Sequence, residues 1–164
     1  MLIHWPNIFD EQKCKELTKI TLHNHNHGKF TYEGSDSHYK NSFGKNLKEF
    51  DDLFPLLTPI VKEKTKYQNI QVKNSYTRIY FNDSILKRHV DREGLDITLS
   101  VCLFDNTNKK WPLYVEYENM VVPVITKVGE GAMILGTKMH HWRDLLTCGQ
   151  DQMVIQCFFH WQII

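Results

Sequence analysis

From Asn69 to the end of the chain, six segments rich in β-branched and aromatic residues follow one another without a helical pattern between them. They read "NSYTRIYF", "LDITLSVCLFD", "WPLYVEYE", "MVVPVITKV", "GAMILG" and "QMVIQCFFHWQII", and turn signals such as "FNDS", "DNTNKK" and "VGEG" separate them. Consecutive short strands without intervening helices imply antiparallel pairing, and this many of them imply a sandwich or a jelly-roll barrel. Trp111-Pro112 is expected to begin an edge strand, because proline cannot donate to a ladder.

The N-terminal third reads differently. Asp10 is placed to cap a helix whose Cys14, Leu17 and Ile20 form one apolar stripe, ending near "HNHNHG". Residues 28–46 are polar and rich in Gly and Ser, which predicts a long loop or irregular strands. Within it, "YEGSDSHYKNSFGKN" is a candidate lid, with Tyr32, Tyr39 and Phe43 as substrate contacts. A second helix is expected over roughly Leu47 to Lys66, burying Phe50, Leu53, Phe54, Leu57, Ile60 and Val61. Pro55 and Pro59 require it to kink or to begin only after Pro55. The expectation is a mainly β fold with N-terminal helices (α+β), a single domain over 1–164 with helical support about 8–68 and a barrel about 69–164.

Composition narrows the function classes. At 164 residues the chain is long enough to bury a core, and 41% hydrophobic with 24% charged residues is an ordinary globular balance. A net charge of +1 with no basic run gives no argument for nucleic acid. The longest apolar runs, such as Met120 to Ile125, are too short to span a membrane, and the N-terminus lacks signal-peptide character. The expected protein is soluble and cytoplasmic. Cys14, Cys102, Cys148 and Cys157 show no zinc-like spacing and read as reduced thiols, Cys102 and Cys157 buried in apolar runs.

Chemistry concentrates in "RHVDREG" and "MHHWRDL". His89 and Asp91, answered downstream by a histidine, form the ligand set of a two-His, one-carboxylate facial triad, which holds Fe(II) and leaves positions open. In a regular strand both side chains would share a face. Neighbours on a strand face opposite ways, so only one of His140 and His141 can aim at the metal while the other faces away. His23, His25 and His27 are expected to lie in a solvated loop rather than to form a second site, and His160 and Trp161 to pack in the core or barrel wall rather than to line the mouth of a site.

The ordered set "TRIYFNDSILKRHVD", "WPLYVE", "GEGAMILG", "HHWRDLLTCG" and "QCFFHW" resembles the Fe(II)/2-oxoglutarate-dependent dioxygenases, in particular their prolyl-4-hydroxylase-like branch. Arg78 and Tyr80 fill the slots of an R-x-Y strand preceding H-x-D, and Gly129 and Gly131 fill the turn before the strand that leads to the distal His. The resemblance covers about Asn74 to the C-terminus. It implies a double-stranded β-helix with Fe(II), 2-oxoglutarate and O2 as cofactor and co-substrates; "HHWRD" resembles an H-W-R variant of the family, which implies His89, Asp91 and His141 as catalytic metal ligands and His140 facing outward. It also implies hydroxylation of a peptide, protein side chain or small metabolite, with 2-oxoglutarate decarboxylated to succinate. Asp91 disfavours halogenation, for which this class replaces the carboxylate with a small residue.

The chain departs from that pattern at the co-substrate anchor. The resemblance places a Lys or Arg about ten residues after the distal His, where this sequence reads "CGQDQMVIQ". Arg143, Arg78, Lys127, Gln152 and Gln156 remain as partners for the distal carboxylate, with Tyr80 as a hydroxyl donor; an amide is the weaker partner. Arg143 is the leading cation, unless Asp144 or Glu130 pairs with it. A non-catalytic cupin-like metal or small-molecule binding protein, and a metal-dependent isomerase or hydrolase, are the competing functions.

Overall fold

A computed structural model describes residues 1–34 and 38–164, so part of the candidate lid, residues 35–37, lies outside the described residues. In chain order the elements are β1 (Leu2–Trp5), α1 (Glu11–Asn26), β2 (Thr31–Glu33), β3 (Tyr39–Lys45), α2 (Lys48–Asp51), α3 (Phe54–Thr65) and β4 (Ile70–His89). Then follow β5 (Ile97–Asp105), β6 (Leu113–Tyr117), β7 (Met120–Val124), β8 (Gly131–Ile134), β9 (His141–Arg143) and β10 (Val154–Ile163). The strands run in the order β1-β8-β5-β10-β4-β9-β6-β7, with β3 also paired to β4 and β2 to β3. Neighbouring strands pair antiparallel, giving a nearly closed barrel of the jelly-roll, double-stranded β-helix type.

The 20-residue β4 ties the two layers together. Its first half, Ile70 to Tyr80, pairs with β10, and its second half meets β9 at Leu86 and His89. "FNDS" therefore does not reverse the chain. Asp83 takes φ +66°, its N–H donates to Leu146 O, and Ser84 Oγ accepts from Phe81 N at 2.8 Å, so the segment bends one strand instead of separating two.

Alternation on β10 divides the two faces. Ile155, Cys157, Phe159 and Trp161 are fully buried against the helices, in a core with Leu17, Phe50, Phe54, Leu57 and Val61. Each such large side chain contributes roughly 1.5–3 kcal/mol on burial. Gln156, Phe158 and His160 face the barrel interior instead and line cavities there.

Several local expectations need correction. Asp10 does cap α1, accepting from Lys13 N at 2.7 Å, but the helix runs through "HNHNH" to Asn26 before Gly28 (φ +71°) ends it. His25 is no loop residue: it packs on the rings of Phe30, Phe43 and Phe81 at 4.7–6.1 Å. The second helix divides, α2 ending before Asp52 and α3 taking Pro55 in its first turn, where a missing N–H costs nothing. Of the two alternatives for residues 28–46, the described residues show strands: β2 pairs antiparallel with β3, and β3 pairs with β4 through a register shift. The edge strand with a proline is β7, through Pro123; β6, which follows Trp111-Pro112, lies inside the sheet between β9 and β7. β1, pairing with β8, had no counterpart in the sequence reading. Among the described residues no helix is long and apolar enough to cross a membrane.

Candidate metal centre

His89 and His141 are register partners at the junction of β4 and β9. Two carbonyls fix their rings: His89 Nδ1 lies 2.8 Å from Lys87 O, and His141 Nδ1 lies 2.9 Å from Met139 O. A carbonyl only accepts, so each Nδ1 carries the proton and each Nε2 presents a lone pair. Both Nε2 atoms stand 3.6 Å from the same atom, Asp91 Oδ1. The donor atoms of His89, Asp91 and His141 all lie within 4.8 Å of one another. Two neutral imidazoles and one carboxylate oxygen, pinned from behind, fit a divalent first-row metal such as Fe(II).

Asp91 is positioned differently from the expectation of a shared strand face, because it lies just beyond the end of β4. Its N–H donates to Gly136 O at 2.8 Å, and its Oδ2 accepts from Thr98 Oγ1 at 2.5 Å. Burial alone would raise its pKa; the His141 and His89 rings beside it, when protonated, and the hydrogen bond from Thr98 outweigh burial and hold the carboxyl far below the usual range. Gly136 is required here for space, since a Cβ would overlap Asp91 Oδ2 and sit 2.6 Å from Thr98 Oγ1. Neither Thr98 nor Gly136 carries a sequence signal that marks it. His38 stacks on His89, ring centroids 4.6 Å apart and 18° from parallel. His140 faces outward as expected, 42% exposed in its side chain and 3.5 Å from Glu116.

The triad opens on a cavity of about 470 Å³ lined by Tyr39, Tyr76, Arg78, Thr98, Phe158 and His160, among others. His160 thus faces the cavity rather than the core, whereas Trp161 is fully buried. Of the residues proposed as lid contacts, Tyr39 lines this cavity, Phe43 packs beneath His25 and Tyr32 is exposed.

The residues considered for the co-substrate anchor separate clearly. Gln152 is turned to its own loop, donating to Asn106 O and accepting from Gly149 N. Gln156 is buried and accepts from Ser100 Oγ at 3.3 Å. Arg78 lines the triad's cavity but already donates to Glu33 and Ser42 at 3.0 Å, with Tyr39 stacked 3.3 Å from its guanidinium carbon. Lys127 is exposed at a second cavity. Arg143, two residues from His141 on β9, is buried, and neither Asp144 nor Glu130 pairs with it. Its Nη1 donates to Trp111 O at 2.6 Å, while Nε has no partner; burial pulls its pKa down. Tyr80 is fully buried with an unpartnered Oη, its phenol pushed far up by burial, and Trp111 packs edge-on against it at 4.9 Å. Cys102, whose thiol burial pushes up to about 12, stays protonated.

No protein-family model and no curated protein sequence matches this chain. Solved structures do match in fold. A 2OG-Fe(II) oxygenase-family oxidoreductase from Burkholderia pseudomallei superposes with a TM-score of 0.75 at 10% identity, covering 99% of this chain and 86% of that one. The viral collagen prolyl hydroxylase of Paramecium bursaria Chlorella virus-1, as its 2OG complex, gives 0.73 at 11%, covering 99% and 96%. A Trichoplax adhaerens prolyl hydroxylase in complex with a hypoxia-inducible-factor peptide fragment gives 0.71 at 13%, covering 98% and 83%. The fold is that of the 2-oxoglutarate oxygenases.

Proposed function

We propose that this protein is an Fe(II)- and 2-oxoglutarate-dependent dioxygenase that hydroxylates a peptidyl or protein side chain or a small metabolite. The observation that carries this reading is the convergence of two carbonyl-pinned imidazoles and one Asp91 oxygen at the wall of a barrel cavity. His89, Asp91 and His141 would hold the metal. When bound, iron and 2-oxoglutarate supply oxygen activation, with the co-substrate converted to succinate and carbon dioxide. Thr98 and Gly136 keep the carboxylate aimed, and the carbonyls of Lys87 and Met139 keep both rings in the ligating tautomer.

The distal carboxylate of 2-oxoglutarate is assigned to Arg143 and Tyr80. Neither is among the residues lining the triad's cavity, so the co-substrate would have to reach from that cavity toward the second one, which Arg143 lines. His141 and Arg143 share the inner face of β9, about 6.6 Å apart along the strand. A buried guanidinium without a counter-ion is costly, and a carboxylate supplied by a ligand removes that cost. An anion brought to Arg78 would instead meet Glu33. A peptidyl substrate is supported by the peptide complex of the Trichoplax enzyme, which shares this fold.

An anaerobic Fe(II) titration with and without 2-oxoglutarate tests the reading through the visible charge-transfer band of the chelate. The band should form in the native chain and vanish in Asp91→Ala. Iron binding with no band would refute the oxygenase reading and leave a metal-binding protein.

A further inference from the structure

The two ends of β10 face different cavities. Phe158 and His160 line the triad's cavity, whereas Val154 and Gln156 line a second one of about 270 Å³. Arg143 lines the second cavity and, in its buried position, leaves Nε unpartnered. Nη1 is taken by Trp111 O, so the Nε–Nη2 edge makes no hydrogen bond among the described residues. That edge is one of the two from which a guanidinium grips an oxyanion with parallel hydrogen bonds.

The rim extends the same charge. Lys109, Lys110 and Lys127 are exposed at this cavity, and Asp105 is its one acid among the described residues. The Asp105 carboxylate accepts from Thr107 N at 2.8 Å and Thr107 Oγ1 at 2.7 Å and keeps its charge, so it offsets one of the four cations that line the cavity. Three exposed lysines around a buried guanidinium outnumber that one carboxylate, and such an excess of positive charge concentrates anions. The volume is below that of pockets for drug-sized ligands, roughly 300–1,000 Å³, so a small ion is the fitting occupant.

We propose that this second cavity binds a small divalent oxyanion, and that it does so on the same Arg143 edge that the co-substrate requires. Occupation from the lysine-rimmed side and engagement by 2-oxoglutarate from the triad side then exclude each other. The exclusion rests on the oxygenase reading; the anion site does not.

Sulfate is a suitable probe, with chloride at matched ionic strength as control. Calorimetric titration of the full chain should show saturable binding of one sulfate. Lys109→Gln and Lys127→Gln should each weaken it about two- to fivefold, the effect of one partly screened charge. Arg143→Gln should abolish it, and because replacing a buried residue risks the fold, the two exposed lysine variants carry the test by themselves. His89→Ala should leave it unchanged. Absence of saturable binding, indifference to both lysine changes, or loss in His89→Ala would overturn the site. In the anaerobic Fe(II) titration, sulfate should raise the concentration of 2-oxoglutarate at half-maximal band; an unmoved midpoint with sulfate bound would overturn the exclusion. A chain that binds sulfate as described but never forms the band would count against the oxygenase reading and leave the anion site standing.

Discussion

Replacing Gly136 with alanine tests the metal centre without touching a ligand. The new Cβ would overlap Asp91 Oδ2 and lie 2.6 Å from Thr98 Oγ1. Backbone relief is blocked on both sides, because Gly136 N donates to Asp96 O at 3.0 Å and Gly136 O accepts from Asp91 N at 2.8 Å. The carboxylate must therefore retreat by about 1 Å, beyond the ~0.5 Å tolerance of a functional constellation. Its bond from Thr98 is lost in the same movement. Overpacking of this kind costs about 1–3 kcal/mol, and disturbed support of a ligand lowers metal affinity about 10–100-fold. At this chain length 1 kcal/mol shifts Tm by roughly 2–4 °C. Metal titration followed by thermal unfolding of the apo chain reads both effects. In an Asp91→Ala background the destabilisation from Gly136→Ala should shrink, since the colliding oxygen is gone. Wild-type metal affinity and Tm in Gly136→Ala would show that Asp91 is not held as described.

Other expectations follow from the same geometry. His141→Ala should weaken metal binding at least about 100-fold, whereas outward-facing His140→Ala should leave it within about threefold, a contrast read by direct titration. A divalent metal at about 100 times its Kd should add roughly 2.7 kcal/mol to stability, and an Asp91→Ala chain should gain little, as measured by thermal unfolding. Burial lowers the pKa of His25, so below about pH 6.5 the unfolded chain takes up a proton that the folded chain refuses, and stability falls with acid. His25→Leu should flatten the fall in Tm between pH 7 and 5; an unchanged slope would mean that His25 does not titrate differently on folding.

Legibility tracked how local the determining physics was. Strand content and the Asp10 cap follow from periodicity and spacing, and the structure bears them out; it also makes His89 and His141 register partners. "FNDS" misled because Asn, Asp and Ser favour both a reversing turn and a bulge; the bond from Asp83 to Leu146 O, 63 positions on, decides between them. "HNHNHG" misled in the same way. Polar, poor helix formers were kept helical by His25 packing into three phenylalanines that come from other elements. Thr98 and Gly136 were invisible for a different reason: their roles exist only once Asp91 has been placed by a contact outside its strand.

The anchor shows what the alternation of strand faces implies for function. On β10 one set of alternate side chains is the apolar wall against the helices, and the other set holds Gln156 and His160 in the barrel. Arg78 and Arg143 sit on that inner face, where apolar residues would pack with less penalty. Arg78 is neutralised within the fold by Glu33 on β2. Arg143 has carbonyl and aromatic partners but no carboxylate partner among the described residues. One buried guanidinium is thus paired within the fold and the other has no ion pair among the described residues, which is why Arg143 and not Arg78 is proposed as the anchor. On the oxygenase reading proposed above, the cation that spacing fails to find after the distal histidine would be Arg143, two residues beyond it on the strand that carries His141 itself.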